Sequence, residues 1–187
     1  MGKKNSVSIV KGVVVTAIGI ALYGFGGMLG IPVFANTTLK PAMAILALFG
    51  AVYGPIVGFL VGFVGHIITD AFSGWGIWVT WAFGSGLVGA GIGSYMYITK
   101  HSLDSGVFGA KEFGILTALA FISNFVGYMI SAILDFLFMN EPLNKVVTQQ
   151  LIVAVVNTIV IAVIGSLLML LIAKRNASSN NLEEENV

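Results

Sequence analysis

Cysteine is absent from the 187 residues, which removes disulfides, thiolate metal sites and cysteine nucleophiles together. Charge is scarce. Asp, Glu, Lys and Arg make up 9% of the chain, where a soluble domain carries roughly 25%. Histidine occurs only as His66 and His101. His66 with Asp70 alone supplies too few ligands for a catalytic metal. No G-x-x-x-x-G-K-S/T stretch is present, so nothing in the chain cradles the phosphates of ATP. Proline is also rare, at four residues against 24 glycines, yet the composition is not low-complexity. No cofactor is expected, and nothing calls for nucleic acid.

What is abundant is apolar surface. Hydrophobic residues make up 57% of the chain, and the mean hydropathy is +0.98. The apolar segments are continuous rather than alternating, so the expected spans are helices and not barrel strands. The fold class is therefore an all-α integral membrane protein. The N-terminus lacks a signal-peptide cleavage pattern, so the first span is expected to be retained.

One stretch organises the rest: GPIVGFLVGFVGHIITD, from Gly54 to Asp70. Gly54, Gly58 and Gly62 recur every four residues, and His66 and Asp70 continue the step. On a helix this spacing holds them on one slowly drifting face. Three glycines let another helix lie close. The imidazole and carboxylate at the far end are ionisable groups in an apolar helix, which by default mark a functional site.

Six helices follow from the hydrophobic runs. They are expected at about Ser8 to Met28, Ala42 to Tyr53, Pro55 to Ala71, Trp75 to Ile98, Phe113 to Phe138 and Val146 to Ala173. The second is short for the ~20 residues a span needs. Leu29 to Pro41 and Lys100 to Glu112 read as loops. Residues 1–175 form one six-helix membrane domain, and 176–187 read as a polar cytoplasmic tail without fixed structure.

Charge orients the bundle. With the N-terminus inside, the inner flanks hold Lys3, Lys4, Lys11, Lys100, Lys111, Lys174 and Arg175, and the outer loops hold Lys40 and Lys145. Seven of the nine basic residues are then cytoplasmic, a positive-inside pattern, and both termini are cytoplasmic. The polar residues of the spans then gather in the outer half: His66, Asp70, Asn124, Tyr128, Gln149, Gln150 and Asn157, with Asn36, Thr37 and Lys40 in the loop above. Such convergence predicts a small-molecule pocket opening outward rather than a pore.

Each signal has a plainer reading. Asp70 can cap its helix, and His66 can hold an interior hydrogen bond. Trp75, Trp78 and Trp81 can form an interfacial belt, although a flat indole also stacks on a planar heterocycle. Asn124, Asn157 and Gln150 can bridge helices. Asp135, Glu141 and Lys145 read as solvated loop or cap residues. Ala17 and Ala21 make a small-xxx-small pair on the first helix, suited to internal packing or to docking another membrane protein.

Two resemblances bear on function. Ser85 lies in FGSG, superficially similar to the G-x-S-G of six-helix intramembrane serine proteases. The first position is Phe83, however, and a Ser–His dyad needs a base within reach, so no enzyme is expected. The second covers about residues 8–173. Six helices in a short chain, Ala17 and Ala21, the long loop after them, FANTTLKPAMAILALFGAVYGPIVGFLVG and GHIITD together resemble the substrate-binding S component of energy-coupling factor (ECF) vitamin transporters, in the riboflavin and hydroxymethylpyrimidine branch.

That resemblance implies a subunit of the bacterial cell membrane. It would capture a vitamin or precursor outside and dock through Ala17 and Ala21 on a membrane-embedded coupling (T) subunit, which two cytoplasmic ATPases drive. The implied ligand is hydroxymethylpyrimidine first, then riboflavin or a pyridoxine-like vitamin. Trp78 and Trp81 would stack the ring. His66, Asp70, Asn124 and Gln150 would offer hydrogen bonds beside Tyr128, and the Asn36 to Lys40 loop would close over it. The competing reading is a stand-alone proton-coupled carrier with His66 and Asp70 as its relay. The missing internal repeat argues against it.

Overall fold

In the computed structural model, residues 2–34, 37–74 and 76–184 are described. Helix α1 (Gly2–Gly26) leads to a hairpin of β1 (Ile31–Phe34) and β2 (Thr37–Leu39). Then follow α2 (Ala42–Tyr53), α3 (Pro55–Ser73), α4 (Val79–Gly93), α5 (Tyr95–Ile98), α6 (Ala110–Phe138) and α7 (Leu143–Val160). A single π-helical stretch, Ile161–Gly165, joins α7 to α8 (Ser166–Glu184). Because α5 prolongs α4 and α8 prolongs α7, six helical columns result among the described residues. Four stretches are long and apolar enough to cross a membrane: Ile9–Gly26, Pro55–Ser73, Ala110–Phe138 and Leu143–Asn181. The protein is an all-α membrane protein apart from its short hairpin.

Local chemistry sets the breaks. Gly54, at φ +91°, ends α2, and Pro55 opens α3 at the first turn, where its missing N–H removes no helical bond. The Glu112 carboxylate accepts the Gly109 N–H at 3.0 Å at the head of α6. Between α4 and α5 the Ser94 hydroxyl donates to the Gly91 carbonyl at 2.6 Å, a local bond that competes with the regular ladder.

The tightest contacts are backbone on backbone. A Cβ built on Gly58 would fall on the Gly89 carbonyl, and one on Gly89 would fall on the Gly58 carbonyl. A Cβ on Gly62 would meet the Ser85 carbonyl. On Gly93 it would lie 2.5 Å from the Pro55 Cα, and on Gly50 2.8 Å from the Gly89 oxygen. Thus α2, α3 and α4 approach more closely than side chains would permit, as small residues allow in membrane helices. Around this seam the core is built from Met43, Leu46, Val61, Val88, Ile92, Tyr95, Leu116, Ile161 and Met169, all buried. The periphery carries exposed Ile9, Val13, Ile56, Phe121, Phe136, Val155 and Leu171, the apolar coat a lipid-facing surface requires.

The structure departs from the sequence reading in four places. The loop from Leu29 to Pro41 contains an antiparallel hairpin that pairs Ile31 with Leu39 and Pro32 with Thr38. The fourth column becomes helical only at Val79, because Gly76 takes φ +81° and Trp78 has a non-helical backbone; Trp75 lies outside the described residues. The last column starts at Leu143 rather than Val146. Its polar end, expected to lack structure, stays helical to Glu184. Asn176 Nδ2 donates to the Leu103 carbonyl at 2.9 Å and Asn180 Nδ2 to the Asp104 carbonyl at 3.3 Å. Gly106, at φ +74°, leaves just enough room for Ala177. Composition marked this segment as polar but did not reveal that its amides would satisfy a loop.

Gly58→Ala should destabilise the protein by about 1–3 kcal/mol, the usual cost of overpacking a core. Gly114→Ala, on a helix with open space at its Cβ, should be neutral or stabilising by up to about 1 kcal/mol. Thermal unfolding in detergent checks both, and equal stability of the two variants would contradict the backbone contact.

Candidate solute-binding cavity

The four-residue step along α3 brings Gly62, His66 and Asp70 onto the face turned to α4, and the glycine seam fixes how closely α4 lies there. Because α4 runs antiparallel, Ser85 comes opposite His66. The Ser85 Oγ is 2.7 Å from His66 Nδ1 and 3.0 Å from the Tyr128 hydroxyl of α6. The Tyr23 hydroxyl of α1 donates to the same Ser85 oxygen at 3.5 Å. With its proton on Nε2, His66 accepts from Ser85 and turns its N–H toward Asp70 Oδ1, 3.5 Å away. Asp70 Oδ2 accepts the Trp78 backbone N–H at 3.0 Å. Asp70 therefore ties the end of α3 to the start of α4, as a capping group would, while it also lines a cavity.

That cavity has a volume of about 580 Å³ and opens at the end of the bundle where α3 and α6 finish and α4 and α7 begin. Its size falls within the range of small-molecule sites. Tyr23 and Met43 form its depth, and His66 and Asp70 contribute from α3. Trp78, Trp81, Tyr128 and Asp135 form one wall; Val146, Gln149, Val153 and Asn157 of α7 form another. Pro32, Thr38, Lys40, Glu141 and Lys145 stand at the mouth. The Trp81 and Tyr128 rings lie 6.2 Å apart and tilted at 60°, an aromatic corner suited to a planar ring. Burial pushes the Lys40 ammonium below the ordinary lysine range, and the Asp70 carboxylate pulls it the other way.

Of the residues expected to contact a solute, Lys40, His66, Asp70, Trp78, Trp81 and Tyr128 meet around this one cavity. Asn36 lies outside the described residues. Asn124 and Gln150 do not line it. Asn124 Nδ2 donates to the Ala120 carbonyl of its own helix at 2.8 Å, and Gln150 Nε2 donates to Ser131 Oγ at 3.3 Å. Both are fully buried; the Gln150 bond joins α7 to α6, whereas the Asn124 bond stays within α6. On α7, Gln149, one residue earlier in the 3.6-residue cycle, takes the cavity side instead.

Asp135 is the residue sequence reasoning misplaced. It was expected among solvated caps, yet it is fully buried. Its Oδ2 accepts the Trp81 indole N–H at 2.7 Å, and its Oδ1 accepts the Thr80 hydroxyl. Its i,i+4 relation to Ser131, and to Gly127 a turn further back, marked it as sharing the small-residue face of α6. Glu141 and Lys145, also read as solvated, form an ion pair of 2.6 Å at the mouth.

The close Ser85–His66 contact meets the distance condition for a nucleophilic dyad. Ser85 is nevertheless fully buried, does not line the cavity, and is held between an imidazole and a phenol. It positions His66 and Tyr128 and offers no exposed hydroxyl to a substrate. Among the described residues no cluster of three potential metal ligands occurs.

Comparison with known proteins is consistent with this architecture. The family model described as ECF-type riboflavin transporter, S component, matches residues 7–174. A UPF0397 protein of Aliivibrio fischeri is 57% identical over 176 residues, which cover 93% of this chain and 96% of the relative. UPF0397 proteins of Vibrio vulnificus and Photobacterium profundum are 54% and 55% identical over 176 residues, again 93% of this chain, and 97% and 96% of those relatives. No solved structure matches the chain.

Ser85→Ala deprives His66 and Tyr128 of their shared partner. Leaving buried polar groups unpaired costs about 1–3 kcal/mol, so its melting temperature in detergent should fall clearly. Thr148→Ala, which removes an exposed hydroxyl bonded to its own helix, should stay within about 0.5 kcal/mol of the parent. If both behave alike, the Ser85 network contributes nothing to stability.

Proposed function

Because the chain belongs to the ECF-type riboflavin transporter S-component family, we propose that it is the solute-specificity subunit of an ATP-driven importer of the bacterial cell membrane. It captures a small vitamin or vitamin precursor at the outer face. Hydroxymethylpyrimidine is the first candidate, followed by riboflavin, the solute in the family's description, and pyridoxine-like vitamins. The observation that carries this reading is the lopsided cavity. One end of the bundle has a site of about 580 Å³, whereas the hollow near Tyr95 and His101 measures about 10 Å³. An aromatic and polar site of this size suits the capture of a small solute. The hydrolysis of ATP falls to partners.

The positive-inside pattern supports a cavity mouth outside and both termini in the cytoplasm. The hairpin and Lys40 stand over the mouth and serve as its cover. Docking on a T subunit, driven by two ATPases, uses α1. Gly19, Tyr23 and Gly27 turn that helix's packed face inward, and Ala17 and Ala21 lie on its exposed side. Small exposed side chains let a partner helix approach closely.

The cavity-lining His66–Asp70 pair also suits a stand-alone proton-coupled carrier. Gradient-driven uptake by proteoliposomes holding this chain alone would select that reading.

Co-expression with the T subunit and both ATPases should yield one co-purifying complex; a chain that never joins such a complex is not this subunit. Ala17→Trp or Ala21→Trp should reduce uptake by about tenfold or more, since a steric block at a packed interface costs more than about 1.4 kcal/mol. Solute binding by the isolated chain should be unchanged. Joint loss of uptake and binding would count against a docking face.

A further inference from the structure

The column formed by α7 and α8 is not regular throughout. Where the two join, the Ser166 N–H donates to the Ile161 carbonyl, five residues back. Ile161–Gly165 is thus one wide π turn, where an α-helix bonds four residues back. The burial pattern explains it. From Asn157 the buried positions advance in fours, through Ile161, Gly165, Met169 and Ala173. In a regular helix each such step drifts by about 40°, so four of them would carry the face away from the core. The wide turn absorbs the extra residue and keeps Gly165 and Met169 inward. It is not fully satisfied: the Ser166 hydroxyl is buried without a hydrogen-bond partner among the described residues.

The cavity face of α7 is doubled in character along the chain. The four residues it gives to the wall are Val146, Gln149, Val153 and Asn157. Each is followed by a residue of like kind: Val147, Gln150, Ala154 and Thr158. An α7 displaced by one residue would therefore present nearly the same chemistry to the cavity. Relaxing the π turn to regular helix produces that displacement, because the absorbed residue returns to the ladder. The helix then rises about 1.5 Å and turns about 100°. The fixed side is α8, whose Asn176 and Asn180 bond the loop after α5. At the other end the short link of residues 139–142 takes up the rise.

We propose that α7 moves between two registers one residue apart, with the π turn at Ile161–Gly165 holding the extra residue. In the register of this structure Gln149, Val153 and Asn157 face the cavity. In the second, Gln150, Ala154 and Thr158 take their places. Hydrogen bonds make the first register dominant. Gln150 Nε2 donates to Ser131 Oγ at 3.3 Å, and the same amide bonds Asp135, whereas the shift sets Leu151 beside these groups. The second register has one compensation: Gln150 Oε1, buried without a partner among the described residues, reaches the cavity. The exchange replaces Asn157, a hydrogen-bond partner of Tyr128, by the shorter Thr158, and Val153 by the smaller Ala154. The wall thereby loosens its hold on a solute while keeping its polarity. That consequence rests on the solute-subunit reading; the change of register does not.

The chain has no cysteine of its own, so single cysteines report without background. Gln149→Cys, Gln150→Cys and Ala132→Cys, each in the full-length protein in detergent, are compared by their rates of reaction with a small charged methanethiosulfonate reagent. Ala132, fully buried beside Ser131, reports general opening of the fold. Gln150→Cys should react at about 1–10% of the Gln149→Cys rate, the share of a minor conformer, and about tenfold or more faster than Ala132→Cys. Deleting Val163, an exposed residue of the π turn, removes the extra residue and locks the observed register. Gln149→Cys should then keep its rate, and Gln150→Cys should fall to the Ala132→Cys level. Should the shortened chain fail to fold, the comparison of Gln150→Cys with Ala132→Cys remains decisive. The proposal is overturned if Gln150→Cys reacts no faster than Ala132→Cys, or if its rate survives in a folded chain lacking Val163. Both readings come from the isolated chain, so co-purification with the T subunit and ATPases stands as a separate measure of the importer reading.

Discussion

The close approach of α3 and α4 is the constraint on which the remaining structure depends. Gly58 against Gly89 and Gly62 against Ser85 allow the two backbones to touch. Lipid supplies no hydrophobic drive between helices, so such packing must come from fit and dispersion. The contact also fixes register. Once Gly62 lies on the Ser85 carbonyl, His66 one turn along falls opposite the Ser85 hydroxyl, and Asp70 a further turn along reaches the backbone of Trp78. The glycines thus place the functional groups without contributing any chemistry themselves.

Polar groups in this protein are divided between two duties. Ser85, Asn124, Gln150 and Thr69 spend their hydrogen bonds inside the bundle. Thr69 Oγ1 donates to the Gly24 carbonyl of α1 at 2.9 Å. His66, Asp70, Tyr128 and Asp135 also make internal bonds but keep a side toward the cavity. A rigid wall results, because each cavity-facing group is held by a second partner. Preorganised polar groups cost less to use in binding than mobile ones. The opposite end is closed by apolar residues and by the last helix, whose Asn176 and Asn180 secure the loop after α5.

Much of this was legible beforehand. Hydropathy placed the helical columns, since long apolar runs have few alternatives in a bilayer. The four-residue step along α3 joined His66 and Asp70, because helical periodicity is local. Sequence spacing misled where geometry was not helical. Trp75, Trp78 and Trp81 were grouped by helical spacing, yet α4 begins after Trp78. Trp78 and Trp81 still share the cavity, brought there by the irregular lead into the helix.

Composition and periodicity alone determined that the chain is a membrane bundle, which face of α3 is special, and that polar groups gather toward one end. These are properties of single helices and need no knowledge of neighbours. Which polar residues face the cavity was settled only by tertiary structure. Asn124 and Asp135 both sit on the interior side of α6, and no spacing rule separates them. Rotation and crossing of whole helices left one amide bonded to its own backbone and set one carboxylate beside Trp81, a choice made by packing between segments far apart in the chain.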